Sequence, residues 1–262
     1  MKRYELEEAG RRMMPLLPIV ARLDGRAFHT FTQGLSRPYS PEFACCMMET
    51  AAVLVDEFGA DLAYTQSDEI SLFWKNDDPF KPMAFDGRFQ KWVSLLAAEA
   101  SVAFNLSVRD HLPQKAPTRK KRAKLDCRVW QLPNMFEVYN AFLWREDDAT
   151  RNSLQMAAQS HYSQKELHKA ASPKLHDLLH AKGINWNDFP AFFKRGTYVA
   201  RRKYERELTP AELDNIPEDR RPTGPILRSG IFVLDAQPIQ SYKSIVPFLD
   251  GTVKADYQVE GV

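Results

Sequence analysis

Three acidic side chains lie beside short apolar segments that have the length of β-strands. Asp24 follows the apolar run of residues 16–23. An Asp68-Glu69 pair lies just beyond the strand-like run of residues 61–65. Crowded carboxylates repel one another unless a divalent cation neutralises them, and hard oxygen ligands of this kind suit Mg²⁺. If the two segments are neighbours in one sheet, their acidic side chains meet at one edge and could hold the pair of metal ions used in nucleotidyl transfer.

Gly25, the next residue after Asp24, adds to this interpretation. A residue without a Cβ lets the backbone approach a phosphate closely or offer its carbonyl oxygen to a metal ion. The competing interpretation is that DG at residues 24–25 and SDE at residues 67–69 are only turns, because Asp, Ser and Gly favour turns for conformational reasons. The pattern of residue types alone does not choose between a metal site and two turns.

The elements that would position these side chains follow from the spacing of apolar residues. Between residues 41 and 58 apolar side chains recur at intervals of three and four, and Ser40 precedes Pro41 as an N-cap precedes a first-turn proline. Four polar residues separate two short strand-like runs, a link of hairpin length. The predicted elements are a strand at residues 16–23, a helix at 41–58, strands at 61–65 and 70–74, a helix at 85–106 and a strand at 125–132.

This order, β-α-β-β-α-β, predicts an α+β fold of the ferredoxin-like type, a palm in which one antiparallel sheet carries both helices on one face. In that topology the first strand and the central hairpin are neighbours, which would bring Asp24 beside Asp68 and Glu69. We predict a palm-like catalytic core at residues 1–133, a mostly helical part at 134–205 and an irregular extension of unknown role at 206–262. Within the second part we predict helices at residues 134–143, 149–158, 164–169 and 173–181 and a late strand at 194–204.

The composition is that of a globular protein. The 262 residues include 36 Lys and Arg against 34 Asp and Glu, for a net charge of +2, with 44% hydrophobic and 27% charged residues. These values exclude a wholly disordered, collagenous or coiled-coil chain. No apolar run approaches the roughly 20 residues that span a bilayer, and the N-terminal segment does not resemble a secretory signal. Three cysteines cannot build a disulfide framework, so we expect a cytoplasmic protein with no membrane partner.

Two further groups of reactive side chains, a pair of cysteines and a pair of histidines, are not interpreted as metal sites. Cys45 and Cys46 lie inside the first predicted helix, where apolar packing is the default, and the cysteine spacing does not resemble a Cys-type zinc site. The segment HDLLH, with His176 and His180, resembles the zinc-binding HExxH helix. Asp177 is one methylene shorter than the glutamate that serves as base there, so we interpret both histidines as surface or RNA-facing residues.

A basic stretch, KAPTRKKRAK at residues 115–124, contains six Lys or Arg residues and no acid. Such a run can contact an RNA backbone and give a salt-dependent affinity, although it could also be a solvated loop. Because the predicted topology returns this loop to the palm, we favour RNA contact. The residues predicted to make it are Arg119, Lys120, Lys121, Arg122 and Lys124.

Several segments resemble the tRNA-His guanylyltransferase family, the enzymes that add nucleotides in the 3′-to-5′ direction, and within it the bacterial and phage-type guanylyltransferase-like proteins. The two signature segments are RLDGRAFHTFT at residues 22–32 and YTQSDEISL at residues 64–72. Further matches follow in order: WREDDATRNS at residues 144–153, Lys174, GINWN at 183–187 and FFKRGT at 192–197. Ordered segments spread over residues 1–204 are a stronger signal than one short motif.

The resemblance implies a polymerase-like palm that uses two Mg²⁺ ions and takes ATP, and GTP or another NTP, as substrates. The 5′ end of a tRNA is activated, and the 3′-hydroxyl of an incoming nucleotide attacks the activated phosphate. Asp24, Asp68 and the Gly25 carbonyl would bind the metal ions, and Glu69 would be an essential neighbouring acid that orients them. The residues implied in nucleotide binding are Arg26, Phe28, His29, Arg37, Ser67, Lys91, Arg128, Asn152 and Lys174. A homo-oligomer, either a dimer or a tetramer, is also implied.

The sequence departs from the eukaryotic pattern of this family in two places. TRNSLQM at residues 150–156 replaces a run that contains a histidine, which is typical of the guanylyltransferase-like proteins associated with templated repair of 5′-truncated tRNAs. We therefore favour templated repair. SRPYS at residues 36–40 is shortened and lacks an acid, although Arg37 matches a family lysine, so the base preference is left open.

Two alternative functions also stay open. A nucleotide cyclase uses a similar palm with paired aspartates and would need no RNA. A non-catalytic RNA-binding module could share the ferredoxin-like sheet, but the aromatic RNP strands of an RRM are not found in the sequence.

Overall fold

The computed structural model describes residues 1–116, 118 and 121–259. Arg119 and Lys120, both predicted to contact RNA, lie outside the described residues. The helices are α1 (Lys2–Ala9), α2 (Phe28–Phe31), α3 (Pro41–Phe58), α4 (Phe89–His111), α5 (Met135–Gln159), α6 (Ser172–His180), α7 (Ala191–Arg195) and α8 (Pro210–Asp214). The strands are β1 (Ile19–Gly25), β2 (Leu62–Gln66), β3 (Glu69–Trp74), β4 (Leu125–Gln131), β5 (Thr197–Arg206), β6 (Ile226–Leu234) and β7 (Ala255–Gln258). Each of the described helices is too short or too polar to cross a bilayer.

Within the described residues the strands form one seven-stranded antiparallel sheet, in the order β4-β1-β3-β2-β5-β6-β7. Because side chains alternate along a strand, Ile19, Ala21 and Leu23 of β1 enter one buried cluster, with α3 and α4. Val20 enters a second cluster on the opposite face, with residues of α5. The core β4-β1-β3-β2, with two helices on one face, confirms the predicted α+β, ferredoxin-like β-α-β-β-α-β arrangement.

Helix α3 has the bounds that its apolar spacing predicts. The hydroxyl of Ser40 accepts a hydrogen bond from the Phe43 N–H at 3.2 Å, which satisfies a donor that the first helical turn leaves open. Pro41 occupies the first turn, where its missing N–H is harmless. The helix ends at Gly59, whose φ of 59° would strain a residue with a Cβ.

Helix α5 is continuous where the sequence predicted two helices, at residues 134–143 and 149–158. The polar stretch between these two segments suggested a break. In the structure Arg145 and Glu146 of that stretch are buried, 8% and 4% exposed, and both have polar partners. A helix continues through charged residues when their partners compensate for burial, and the sequence alone does not reveal those partners.

The C-terminal segment of residues 206–262, expected to be irregular, contains two strands that extend the sheet. β6 pairs with β5 from Val199↔Val233 to Arg206↔Ile226, and β7 follows at the edge. The first residues of β6 are mostly exposed on both faces, so the alternation that identifies a strand is missing from its sequence. Residues 164–169, expected to be helical, form successive turns instead.

Candidate active site

The pairing of β1 with β3 brings the acidic residues of the two signature segments together. Asp24 lies opposite Glu69 in the antiparallel register. The Gly25 N–H donates a hydrogen bond to the Asp68 carbonyl oxygen at 3.0 Å. Asp68 itself lies in the two-residue turn between β2 and β3, in which Ser67 has a φ of 49°. The proximity expected from the topology is therefore present in the structure.

The electrostatics of Asp68 are those of a buried anion beside another anion. Burial raises the pKa of the Asp68 carboxyl, and the neighbouring Asp24 carboxylate raises it further, while His29 acts in the opposite direction. Ionised Asp68 is thus costly in the protein alone. A divalent cation between Asp24 and Asp68 would remove this cost, and an all-oxygen donor set fits Mg²⁺.

A third carboxylate, Asp126 of β4, lies next to this pair and was not among the predicted site residues. The register of β1 with β4 places it opposite Asp24. Arg128 joins the two: its guanidinium lies 3.6 Å from the Asp24 carboxylate and 3.3 Å from the Asp126 carboxylate. The alternation of apolar and polar residues in LDCRV at 125–129 is a usable signal in the sequence, because it puts Asp126 and Arg128 on one face of the strand.

Glu69 is held by an arginine that sequence reasoning also missed. Arg145 donates from Nε to Oε1 at 2.6 Å and from Nη2 to Oε2 at 2.9 Å, and both side chains are 9% exposed. The same guanidinium reaches Asp148 at 2.9 Å. Because both oxygens of Glu69 accept a hydrogen bond from Arg145, its carboxylate fixes the β2–β3 hairpin against α5. Arg145 and Asp148 belong to the WREDDATRNS segment, which was the available signal.

The absence of a side chain at Gly25 is required by the close packing of the Phe28 ring. A Cβ built at this position would lie 2.4 Å from two ring atoms of Phe28, which is 2% exposed. In a regular antiparallel ladder the C=O of a residue points to the same neighbouring strand as its N–H, so continuation of the ladder past Asp24 would direct the Gly25 carbonyl to the Asp68 side. The Phe28 side chain is buried, and only its backbone could reach a phosphate. The Arg26 N–H is already donated to the Lys124 carbonyl at 2.9 Å, which leaves the Arg26 side chain for a ligand.

A pocket adjoins the acidic cluster, between the chain that leads into α3, the β2–β3 hairpin, α5 and α7. Its empty volume is about 840 Å³, including the solvent at its mouth. Three of the predicted nucleotide-binding residues line it, namely Arg37, Ser67 and Asn152. Tyr39 also lines it, and its ring packs against that of Phe193 at a centroid distance of 4.9 Å. Aromatic and polar groups facing one cavity are typical of a site for a nucleoside.

Comparison with known proteins identifies the family. The sequence model described as tRNAHis guanylyltransferase matches residues 1–133, just over half of the chain. The chain belongs to the tRNAHis guanylyltransferase family. A bacterial tRNAHis guanylyltransferase-like protein solved in complex with ATP is 36% identical, with a TM-score of 0.71 over 77% of this chain and 85% of that one. One solved in complex with GTP is 31% identical, with a TM-score of 0.72 over 93% of each chain.

Curated relatives support the same family. The tRNA(His) guanylyltransferase of Schizosaccharomyces pombe is 27% identical over 220 residues, which cover 79% of this chain and 80% of that protein. That of Saccharomyces cerevisiae is 26% identical over 205 residues, 72% of this chain and 85% of that protein. Enzymes of the tRNAHis guanylyltransferase family are nucleotidyltransferases, and this chain is therefore one as well.

Two of the residues implied by the family resemblance do not lie in the acidic cluster or the pocket. Lys91 is exposed in the first turn of α4, and its neighbour Trp92 packs on Trp74, at a centroid distance of 4.7 Å. Trp74 ends β3 while Glu69 begins it, and five steps along a strand span roughly 17 Å. Lys91 therefore lies near the end of β3 that is remote from the acidic cluster. Lys174 is exposed at the start of α6 and does not line the pocket.

The described part of the basic stretch returns to the acidic cluster, as the topology of the family fold requires. Lys121, Arg122 and Lys124 are exposed. The hydrogen bond between the Lys124 carbonyl and the Arg26 N–H joins this stretch to the loop after β1. Leu125, the next residue, pairs with Gly25. A basic surface therefore borders the site on the β4 side.

Proposed function

We propose that this chain adds nucleotides to the 5′ end of tRNA in the 3′-to-5′ direction, with two Mg²⁺ ions and with ATP and GTP or another NTP as substrates. The observation that carries the proposal is the meeting of Asp24 with the Asp68–Glu69 hairpin where strands β1 and β3 end, beside a pocket lined by polar and aromatic side chains. Crowded carboxylates repel one another unless a cation neutralises them, and a phosphoryl-transfer site uses such carboxylates to hold its metal ions.

The donor set supports magnesium. Asp24, Asp68 and the Gly25 carbonyl offer oxygen atoms only, and the raised pKa of Asp68 follows from burial and from a second anion. When bound, the metal ions would neutralise the carboxylates and polarise phosphate oxygens. Glu69 is a positioning residue: its ion pair with Arg145 holds the turn that carries Asp68.

The remaining residues have roles that follow from their positions. Arg128 is held between the Asp24 and Asp126 carboxylates, from which its guanidinium could turn to a phosphate group. The pocket lined by Arg37, Asn152 and Tyr39 would take a nucleoside of an incoming or activating nucleotide. Because its aromatic rings would stack on any base, the pocket supports addition directed by a template better than a fixed choice of guanine.

The substrate that fits best is a tRNA that lacks nucleotides at its 5′ end. The sequence TRNSLQM at residues 150–156 resembles the corresponding segment of the guanylyltransferase-like proteins. The basic stretch borders the acidic cluster, where the 5′ end of the tRNA must lie. We also infer a cytoplasmic enzyme that works as a homo-oligomer, either a dimer or a tetramer.

The test is to incubate the protein and Mg²⁺ with tRNAs that lack one to three 5′ nucleotides, and with full-length tRNA-His. Each carries a 5′-monophosphate, and labelled NTPs are supplied one at a time with ATP. We expect the base complementary to the 3′ strand to be joined, and Asp24→Asn to join none. A non-templated G on full-length tRNA-His alone would overturn templated repair. Release of a cyclic nucleotide without tRNA, and no addition, would overturn the whole proposal.

A further inference from the structure

Three side chains of metal-ligating type converge between α3 and α4, on the helical layer of the sheet. Cys45 and Glu49 lie one turn apart on α3, and His111 is the last residue of α4. The Cys45 thiol lies 3.7 Å from the Glu49 carboxylate and 3.8 Å from His111 Nε2. His111 Nε2 and Glu49 Oε1 are 2.7 Å apart. The cluster therefore corrects the expectation that Cys45 packs in an apolar core, whereas Cys46 is fully buried as expected.

These distances can be compared with those around a tetrahedral zinc ion. With metal–ligand bonds of about 2.0–2.3 Å, the sulfur lies about 3.6 Å from each of the other two ligand atoms, and nitrogen and oxygen lie about 3.4 Å apart. The two sulfur distances agree within a few tenths of an ångström. Only the His111–Glu49 separation must open, by about 0.7 Å, as their hydrogen bond is replaced by two bonds to the metal ion.

The surroundings suit a three-ligand site with one open position. The Ser107 hydroxyl donates to the other oxygen of Glu49 and so fixes the rotation of the carboxylate. The side chains of His111 and Glu49 are about one third exposed, which leaves room for water as a fourth ligand. Sulfur and imidazole ligands favour a softer cation than the oxygen-only Asp24–Asp68 pair does.

We propose that Cys45, Glu49 and His111 bind one Zn²⁺ ion that joins α3 to α4, separately from the Mg²⁺ ions of the acidic cluster. Binding releases the Cys45 thiol proton to solvent and places the remaining proton of His111 on Nδ1, so that sulfur and Nε2 are free to coordinate. His111 ends α4 just before the turn Pro113–Lys115 that opens the basic stretch. The zinc ion would therefore anchor the base of the stretch that we assign to tRNA.

The experiment titrates the metal-free, reduced full-length protein with Co²⁺, which reports its ligands by absorbance. Saturating Mg²⁺ is present throughout, and the variant Asp24→Asn/Asp68→Asn is run in parallel to exclude the acidic cluster. We expect a thiolate-to-cobalt charge-transfer band that saturates at one equivalent, is equal in both proteins and is removed by one equivalent of Zn²⁺. Elemental analysis after gel filtration should find one zinc per chain.

Matched variants decide whether this cluster is the source of the band. Cys45→Ser and His111→Ala should each abolish the band, whereas Cys127→Ala, which removes a buried thiol elsewhere, should keep it. Circular dichroism checks that each variant is folded, and Cys45→Ser changes one atom only. Absence of the band in the wild-type protein, or its persistence in Cys45→Ser, would overturn the proposal. The Asp24→Asn/Asp68→Asn protein lacks the nucleotidyl-transfer site, so failure of the zinc proposal is distinct from failure of the proposed function.

Discussion

At the scale of single residues, the ionised carboxylate of Asp68 has a cost that a bound cation would remove. Burial raises its pKa and the Asp24 carboxylate adds to the rise. A group whose pKa is raised on folding contributes stability below its ordinary pKa, and that contribution is lost as the pH rises through the folded value. At neutral pH ionised Asp68 therefore opposes folding of the protein without metal ions, and a bound cation reverses the effect.

Asp68→Asn tests this argument. We expect the variant without metal ions to be at least as stable as the wild-type protein at pH 7, because a costly charge is gone, and to lose nucleotide addition. Mg²⁺ should raise the melting temperature of the wild-type protein less as the pH is lowered from 7, since protons compete with the metal ion for the Asp68 carboxylate. It should not stabilise the variant. Asp177→Asn, at an exposed carboxyl of α6, serves as the control. Equal stabilisation of both variants by Mg²⁺ would contradict the assignment.

The Glu69–Arg145 pair gives a second prediction at this scale. Arg145→Met removes both short hydrogen bonds of the buried Glu69 carboxylate and leaves the more distant Arg22 Nε, at 3.9 Å, beside it, so we expect a loss of about 3 kcal/mol in the free energy of unfolding. Arg145→Met/Glu69→Gln should recover part of the loss, since the poorly compensated buried charge is removed. Arg151→Ala breaks an exposed pair with Asp148 on the same helix and should cost less than about 1 kcal/mol. Urea denaturation measures all three, and similar losses for both single variants would refute the distinction.

The sequence located some of these residues and not others, for a physical reason. Asp24 and Asp68 stand at strand ends, and the order of elements suffices to bring them together. Asp126 lies beside Asp24 because of the register in which β4 pairs with β1. Arg145 reaches Glu69 because of the rotation of α5 about its own axis. Register and rotation depend on the packing of the complete core, which a linear pattern does not contain.

At the scale of elements, the turn from β1 into α2 depends on one missing Cβ. Gly25→Ala would force the buried Phe28 ring away. We expect a loss of about 1–3 kcal/mol in stability and a larger fall in nucleotide addition, because the residues next to Asp24 move. Gly224→Ala, at a glycine with nothing within 4 Å of the added Cβ, should change neither. Phe28→Leu in the Gly25→Ala background should restore part of the stability. Full activity of Gly25→Ala, measured by the addition of labelled GTP, would show that the missing Cβ is not needed to position Asp24.

The elements themselves differed in how well their sequences predicted them. α3 has a cap, a first-turn proline, regular apolar spacing and a terminal glycine, and each of these signals is local. α5 was divided in two because the partners of its buried charges come from distant parts of the chain, such as Tyr198, whose hydroxyl donates to Glu146 at 2.8 Å. The sequence of β6 shows little alternation of apolar and polar residues, and the segment is a strand because it pairs with β5.

At the scale of the whole molecule, a net charge of only +2 requires that any RNA affinity come from local surfaces. The positions of Lys121, Arg122 and Lys124 beside the loop after β1 supply such a surface. Lys91 lies at the opposite end of the sheet, together with Lys81, whose surroundings include Trp74 and Trp92. Among the described residues, Lys121, Arg122 and Lys124 lie on the side of the acidic cluster, whereas Lys81 and Lys91 lie at the far end of the sheet, where Asp77 and Asp78 also line the cavity at Lys81.

Charge reversal separates the two regions. Arg122→Glu/Lys124→Glu should weaken tRNA binding by at least tenfold and reduce the slope of log affinity against log salt by about one per lost phosphate contact. GTP binding should be unchanged, because neither side chain lines the pocket. Lys81→Glu/Lys91→Glu removes the same charge at the far end and should leave both tRNA affinity and its salt dependence near the wild-type values. Filter binding between 50 and 300 mM salt, at roughly three concentrations, measures the slopes. A larger effect from Lys81→Glu/Lys91→Glu would contradict this assignment, because it would place the bound tRNA at the other end of the sheet, away from the carboxylates that should act on it.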